Sequence, residues 1–223
     1  MHFLCLHGLG TNSQILEAQT AALRYELGDS HSYDYAEGTI PHPMDPEVAT
    51  YFRTNEGCFA YFDPEKPETF SAALSHLQDF IEQEGPFDAI LAYSHGAQLA
   101  AAWLAVQDKK GPAYRSIRCA VFLSGGIPYE LVSCPNNGRP VMRHMDPCKT
   151  GVVVDVPTTH IWGRDDRQYP GTSEVLSNLC VSKWREVFIH PGGHEVPGAS
   201  AKEAVVGAAL VIRKTVGLAV TLQ

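Results

Sequence analysis

The sequence predicts an α/β protein in which a mainly parallel sheet of about six strands carries helices on both faces. Three observations point there. Apolar runs of strand length alternate with longer helical stripes along the whole chain. No two of the runs are close enough in sequence to form a hairpin. The 223 residues are 44% apolar and 19% charged, which is a globular composition in a chain of single-domain size. The expected organisation is one domain over residues 1–223, with irregular insertions near 37–67 and 126–157.

His2 to Leu6 is a short apolar run that breaks at Gly8, as a buried strand ending in a sharp turn would. Asn12 or Ser13 can cap a helix carrying Ile15, Leu16, Ala22, Leu23 and Leu27, with Gly28 placed to end it. Tyr33 to Ala36 reads as a second strand. From 37 to 67 periodicity fails, and five prolines alternate with Tyr51, Phe52, Phe59, Tyr61 and Phe62. An irregular stretch of that length in a compact domain is usually functional. Phe70, Ala73, Leu74, Leu77, Phe80 and Ile81 mark a helix stopped by Gly85-Pro86. Phe87 to Tyr93 is a strand, interrupted by Ser94-His95-Gly96, and Ala97 to Val106 is apolar almost all round, as a helix buried on most sides would be. Ile117 to Leu123 is a strand ending at Ser124-Gly125-Gly126. After the second irregular stretch, Thr158 to Trp162 is a strand, Thr172 to Val181 a helix and Trp184 to Ile189 the last strand. Val205, Ala208, Ala209, Ile212 and Val216 form the stripe of a final helix.

Composition excludes several function classes. Seventeen basic against 25 acidic residues give a formal charge of −8, which disfavours a nucleic-acid backbone or anionic membrane as partner. The densest basic stretch, Lys109, Lys110, Arg115 and Arg118, reads as a solvated helix end and loop. The six cysteines form no CxxC pair, so neither a zinc site nor a redox motif is expected. No run reaches the roughly 18 apolar residues of a membrane span. The apolar run after Met1 is too short for a signal peptide and lacks its basic flank, so a cytoplasmic protein is expected.

The most informative segment is Phe87-Asp88-Ala89-Ile90-Leu91-Ala92-Tyr93-Ser94-His95-Gly96-Ala97. A strand runs directly into a helix with a serine at the junction and small residues two positions to either side. That is the layout of a nucleophile elbow, where a strained turn lifts the hydroxyl above the sheet. The usual motif has glycine where Ala92 stands. A nucleophilic serine needs a base to take its proton and an acid to orient the base. Downstream, His160-Ile161-Trp162-Gly163-Arg164-Asp165-Asp166 is a strand end with an acidic turn. His190-Pro191-Gly192-Gly193-His194 is a strand end with a flexible turn and a histidine.

The order Ser, Asp, His, each just past the carboxyl end of a strand, is that of the α/β-hydrolase architecture. His194 is chosen over the nine other histidines because it alone follows a Gly-Gly turn and precedes the last helix. Asp166 is favoured over Asp165 by the spacing Gly163-x-x-Asp166-x-x-x-Pro170, with Asp165 kept as the alternative. An oxyanion hole usually needs two backbone donors. The His95 N–H, at a helix start, and the Leu9 N–H, in the turn after the first strand, are the candidates. His7 can hydrogen-bond to hold that turn.

The segments LCLHGLGTN (4–12), LAYSHGAQLAA (91–101), HIWGRDD (160–166) and HPGGHEVP (190–197) resemble those of the FSH-type serine hydrolases. That family includes fungal esterases and hydrolases related to the ovarian tumour suppressor candidate. Its members usually show Gly-Phe-Ser-Gln-Gly where this chain has Ala92-Tyr93-Ser94-His95-Gly96. The resemblance implies an α/β-hydrolase fold, with Ser94, Asp166 and His194 as triad. It also implies esterase or thioesterase activity, with several members similar to hydrolases that trim or release products of fungal polyketide synthases. An acyl carrier protein or synthase is the partner that would follow.

The expected activity is therefore cofactor-free and metal-free cleavage of carboxylic esters or acyl thioesters through an acyl-enzyme on Ser94. The two insertions are expected to wall an acyl pocket. An acyltransferase on the same fold, or a hydrolase-fold binding protein without turnover, are the alternatives.

Overall fold

A computed structural model describes residues 1–53, 56–106, 111–134 and 138–222. In chain order the elements are β1 (His2–Leu6), α1 (Ser13–Leu27), β2 (Ser32–Ala36), β3 (Ile40–His42), α2 (Val48–Tyr51), β4 (Cys58–Ala60) and α3 (Pro67–Glu84). There follow β5 (Ala89–Tyr93), α4 (His95–Val106), α5 (Pro112–Ser116), β6 (Cys119–Leu123), β7 (Tyr129–Ser133), β8 (Pro140–His144) and α6 (Pro147–Thr150). The chain ends with β9 (Thr158–Gly163), α7 (Thr172–Asn178), β10 (Arg185–His190) and α8 (Lys202–Thr221).

Six strands form the central sheet in the order β10-β9-β6-β5-β1-β2, every neighbouring pair parallel. The chain starts in the interior at β1, steps to the edge at β2, then crosses back to β5 and builds outward. The order therefore reverses between β1 and β5, and that switch is where open α/β sheets leave a crevice at their carboxyl ends.

Alternate strand residues divide between two cores, as a period of two requires. Leu4, Leu6, Ile90, Ala92, Ala120 and Phe122 face α3, α4 and α7. Phe3, Cys5, Ala89, Leu91, Val121 and Leu123 face α1 and α8. The helix α8 has the length and apolar content of a membrane span, yet eight of its residues, Ala208, Ala209 and Ile212 among them, are buried inside the protein. Asn12 caps α1, its side chain accepting from Ile15 N–H at 2.9 Å.

The sequence reading of the two insertions needs correction, for both contain hairpin-type pairing. In the first, β3 and β4 pair antiparallel and α2 lies between them. In the second, β7 and β8 form a five-rung antiparallel ribbon. These strands are short or half-exposed and include Pro41 and Pro140, so they show neither an apolar run nor a clean alternation. Lys109 and Lys110 lie outside the described residues, and Arg118 pairs with Asp88 at 2.7 Å.

Candidate active site

Ser94 stands between β5 and α4 with φ of 49°, in the left-handed region that costs a non-glycine residue strain. It is the one partly exposed residue in the otherwise buried run from Ala89 to Ala97. The turn is held by Ser94 N–H donating to Leu123 O at 3.0 Å and Gln98 N–H donating to Ser94 O at 3.2 Å. The small residues around it have a steric reason. Ala92 is fully buried in β5. A Cβ at Gly96 would stand 2.6 Å from both Leu6 O and His7 O, so only glycine lets α4 lie this close to the end of β1. A Cβ at Gly8 would meet the Tyr93 ring at 2.8 Å and lie 3.7 Å from Ser94 Cβ, which puts the turn after β1 directly against the elbow.

His194 and Asp166 reach the same point from the other side of the sheet. The β9–β10 ladder runs to Gly163 and His190 and continues into the loops, with Arg164 N–H donating to His190 O at 2.8 Å and Asp165 N–H to Gly192 O at 2.9 Å. This zipper fixes the two loops relative to each other. His194 Nδ1 lies 2.7 Å from Asp166 Oδ2, and Nε2 lies 2.8 Å from Ser94 Oγ. With Asp166 ionised, Nδ1 carries the proton and Nε2 is left to accept from the serine hydroxyl. The other Asp166 oxygen accepts from the N–H groups of Gln168 (3.1 Å) and Tyr169 (2.9 Å), which locks the carboxylate. Asp165, the alternative acid, is exposed and makes no contact with His194 among the described residues.

Two further supports were not legible in the sequence. Tyr93 donates its hydroxyl to His194 O at 2.7 Å. Ser124, buried with φ of 43° at the end of β6, donates to Glu195 O at 3.4 Å. Each links residues more than seventy positions apart, and nothing local in the sequence signals the pairing.

Leu9 lines the cavity beside Ser94, and His95 directly follows the nucleophile. His95 opens α4, so its N–H has no acceptor within the helix. Neither it nor the Leu9 N–H has a hydrogen-bond acceptor among the described residues. The His95 ring points away from Ser94. Its Nε2 accepts from the N–H groups of Tyr61 (3.1 Å) and Phe62 (3.4 Å), and the ring packs on Phe62 at 4.2 Å between centroids. Burial pushes its pKa down to about 3, so the ring is neutral. His7, also buried, places Nδ1 2.7 Å from Gly8 O and accepts from Gly38 N–H at Nε2 (2.9 Å), which anchors the Leu9 turn.

A cavity of about 330 Å³ opens beside Ser94 and His194. Ala18 and Gln19 of α1 form one wall, Asp45, Glu47, Val48, Tyr51 and Phe52 of the first insertion another, and Gln168, Tyr169, Glu195, Val196, Gly198, Ser200 and Ala201 a third, with Leu9, Thr11 and Tyr93 completing the lining. Residues 126–157, expected to wall the pocket, supply none of the described lining. Their ribbon packs over α3 and α4 instead, with Tyr129 against Phe62 and Phe70 and Ile127 O accepting from Gln98 Nε2 at 3.1 Å. The segments after Asp166 and His194 take the place the second insertion was given.

The chain has relatives among known proteins. The profile of the family described as "Serine hydrolase (FSH1)" matches residues 1–205. The chain is 36% identical over 225 residues to "Esterase FPY3" of Fusarium mangiferae, covering all of both chains. It is 29% identical to "Hydrolase phiM" of Fungal sp. (strain ATCC 74256), covering 88% of this chain and 86% of that one. Among solved structures, a carboxylesterase from Mesorhizobium loti superposes with a TM-score of 0.59 at 20% identity, over 97% of this chain and 88% of that chain. At that identity the likeness speaks for the shared α/β-hydrolase fold.

Proposed function

The chain belongs to the serine hydrolase (FSH1) family, and we propose that it cleaves carboxylic esters or acyl thioesters through an acyl-enzyme on Ser94. That it is an esterase-type serine hydrolase follows from the family match and the 36% identical esterase. The observation that carries the finer reading is the unbroken relay from Ser94 Oγ through His194 to Asp166, at 2.8 and 2.7 Å.

In the first half-reaction Ser94 Oγ attacks the acyl carbon while its proton passes to His194 Nε2. Asp166 keeps Nδ1 protonated and stabilises the imidazolium that results. The carbonyl oxygen becomes an oxyanion, which the Leu9 and His95 amides receive; a donor of this kind is worth about 10²–10³ in rate. As the tetrahedral intermediate collapses, the C–O or C–S bond breaks and His194 protonates the leaving group. Water then repeats the sequence on the acyl-Ser94 ester and restores the serine hydroxyl. No cofactor or metal enters this scheme. Residues 1–223 work as one domain, because the participating groups run from Leu9 to His194.

The cavity fits a compact acyl group, and the fungal esterase relatives support a place in secondary-metabolite formation. There the enzyme would trim or release an acyl product, polyketide-derived and free or carrier-bound, in the cytoplasm. Labelling with a fluorophosphonate tests the central claim. Ser94 should be modified in the folded protein, and turnover of a p-nitrophenyl ester should vanish in Ser94→Ala. Absence of labelling would sink the reading. Adding an alcohol acceptor during turnover separates hydrolysis from acyl transfer.

A further inference from the structure

The base of the relay stands on weakly supported chain. Gly192 and Gly193 precede His194, and glycine restricts a backbone least. From Gly193 to Val196 no main-chain N–H or C=O pairs with another main-chain group among the described residues. Side chains hold the stretch instead. Ser124 Oγ donates to Glu195 O, but at 3.4 Å, which is long for an O–H···O bond. The His190 ring adjoins the Glu195 backbone. The short bond comes from Tyr93, whose hydroxyl donates to His194 O at 2.7 Å.

Tyr93 is also the residue before the nucleophile. It ends β5, is buried, and its ring reaches three parts of the site. It fills the space that Gly8 leaves in the turn after β1, where a Cβ would come within 2.8 Å of the ring. It lies 5.5 Å from the His194 imidazole between centroids, and its hydroxyl holds the His194 main chain. Burial first, and then the carboxylates of Asp45 and Asp166, push its phenol up, so it stays protonated and able to donate at neutral pH.

Resting on the serine-hydrolase reading of this site, we propose that Tyr93 is a positioning residue that keeps the base in register with the nucleophile. Tyr93 and Ser94 share a peptide bond, and Tyr93 Oη fixes the main chain of His194, so a shift of the elbow carries the imidazole with it. Contact with Gly8 ties the turn that bears the Leu9 N–H to the same side chain. Without the hydroxyl, His194 O loses its donor and the Gly-Gly turn samples other conformations. The 2.8 Å approach of His194 Nε2 to Ser94 Oγ is then formed for a smaller fraction of the time. Tyr93 makes and breaks no bond in the reaction. It sets how often the reacting atoms are aligned.

The test is Tyr93→Phe, which keeps the ring and deletes one oxygen. On p-nitrophenyl butyrate kcat should fall about three- to tenfold, the range that one hydrogen bond spans, with KM held within about twofold. The rate at which a fluorophosphonate labels Ser94 should fall in step. The low-field proton resonance of His194 Nδ1–H, held 2.7 Å from Asp166 Oδ2, should broaden through faster exchange with solvent. Ser124→Ala, which removes the longer bond, should cost less than Tyr93→Phe; a larger loss would assign the hold to Ser124 and overturn the proposal. A Tyr93→Phe enzyme with a lower melting temperature but unchanged kcat and labelling rate would show a purely structural bond and overturn this inference alone. A wild type that is neither labelled nor active would overturn the serine-hydrolase reading. The imidazole resonance would then still show whether the hydroxyl fixes His194.

Discussion

The two insertions look alike in sequence and serve the molecule differently. Both are proline-rich and aperiodic, and both fold around a small antiparallel pair. The first is tied into the chemistry. Its Tyr61 and Phe62 amides bind the His95 ring, its Gly38 amide binds the His7 ring, and its residues 45–52 line the cavity. The second is fastened to α3, α4 and α5, through Tyr129 on Phe70, through Ile127 O on Gln98, and through a hydrogen bond from Tyr114 to Asp155, and it meets the first where Tyr129 packs on Phe62. What separates them is where most of their anchors sit. The first hangs from the His7 and His95 rings, just past β1 and β5, the two strands at the switch point, and the second hangs mainly from helix residues, touching the elbow only where Gly126 N–H donates to Ser94 O at 3.4 Å.

Removing the first insertion's anchor is the strongest way to break that contrast. His95→Ala keeps the backbone N–H but deletes the ring that accepts from Tyr61 and Phe62. It should cost about 2–4 kcal/mol in stability and lower kcat/KM at least tenfold, read by urea denaturation and ester turnover. An active, stable variant would show that the insertion needs no tether.

Acid should expose the same anchor. Burial pushes both His95 and His160 down to about 3, below the usual value near 6.5. The unfolded chain therefore takes up protons that the folded one refuses. Stability is intact above about pH 6.5 and falls as pH drops towards 3, by about 1.4 kcal/mol per pH unit for each histidine. His95→Gln should flatten the slope between pH 4 and 6 by about one proton, measured by denaturant titration at stepped pH. An unchanged slope would place the acid sensitivity elsewhere.

Tyr129→Ala probes the second insertion. It should cost about 1–3 kcal/mol while kcat/KM on a p-nitrophenyl ester stays within about twofold. A large loss of activity at normal folding would join the two insertions functionally. The smallest effect is expected of Phe52→Ala, on the cavity wall and only partly buried. KM should rise severalfold with kcat and the melting midpoint nearly unchanged.

The sheet and the relay could be read from the sequence because each rests on local signals. The strands are apolar runs ended by Gly8, Ser94, Ser124 or a Gly-Gly turn, and the reacting residues follow three of them in order. The assignment of Asp166 over Asp165 came from spacing, and the structure places only Asp166 against His194. What escaped was non-local or only half-buried. The β7–β8 ribbon has mixed exposure and begins its second strand with proline, so it lacks a period. The cavity walls from α1 and from residues 195–201 carry no motif, and the Tyr93 and Ser124 supports exist only once distant loops have met.

The switch point has a further consequence. Leu6 of β1 and Ala92 of β5 are partners on one rung of the ladder. Three residues beyond that rung, on each strand, lie Leu9 and His95. Both residues thus extend from one pair of adjacent strands, whose separation of about 4.8 Å is common to every sheet and independent of any side chain. In the proposed mechanism the carbonyl is held by these two backbone N–H groups, so side chains of the insertions and cavity walls can change without removing a donor.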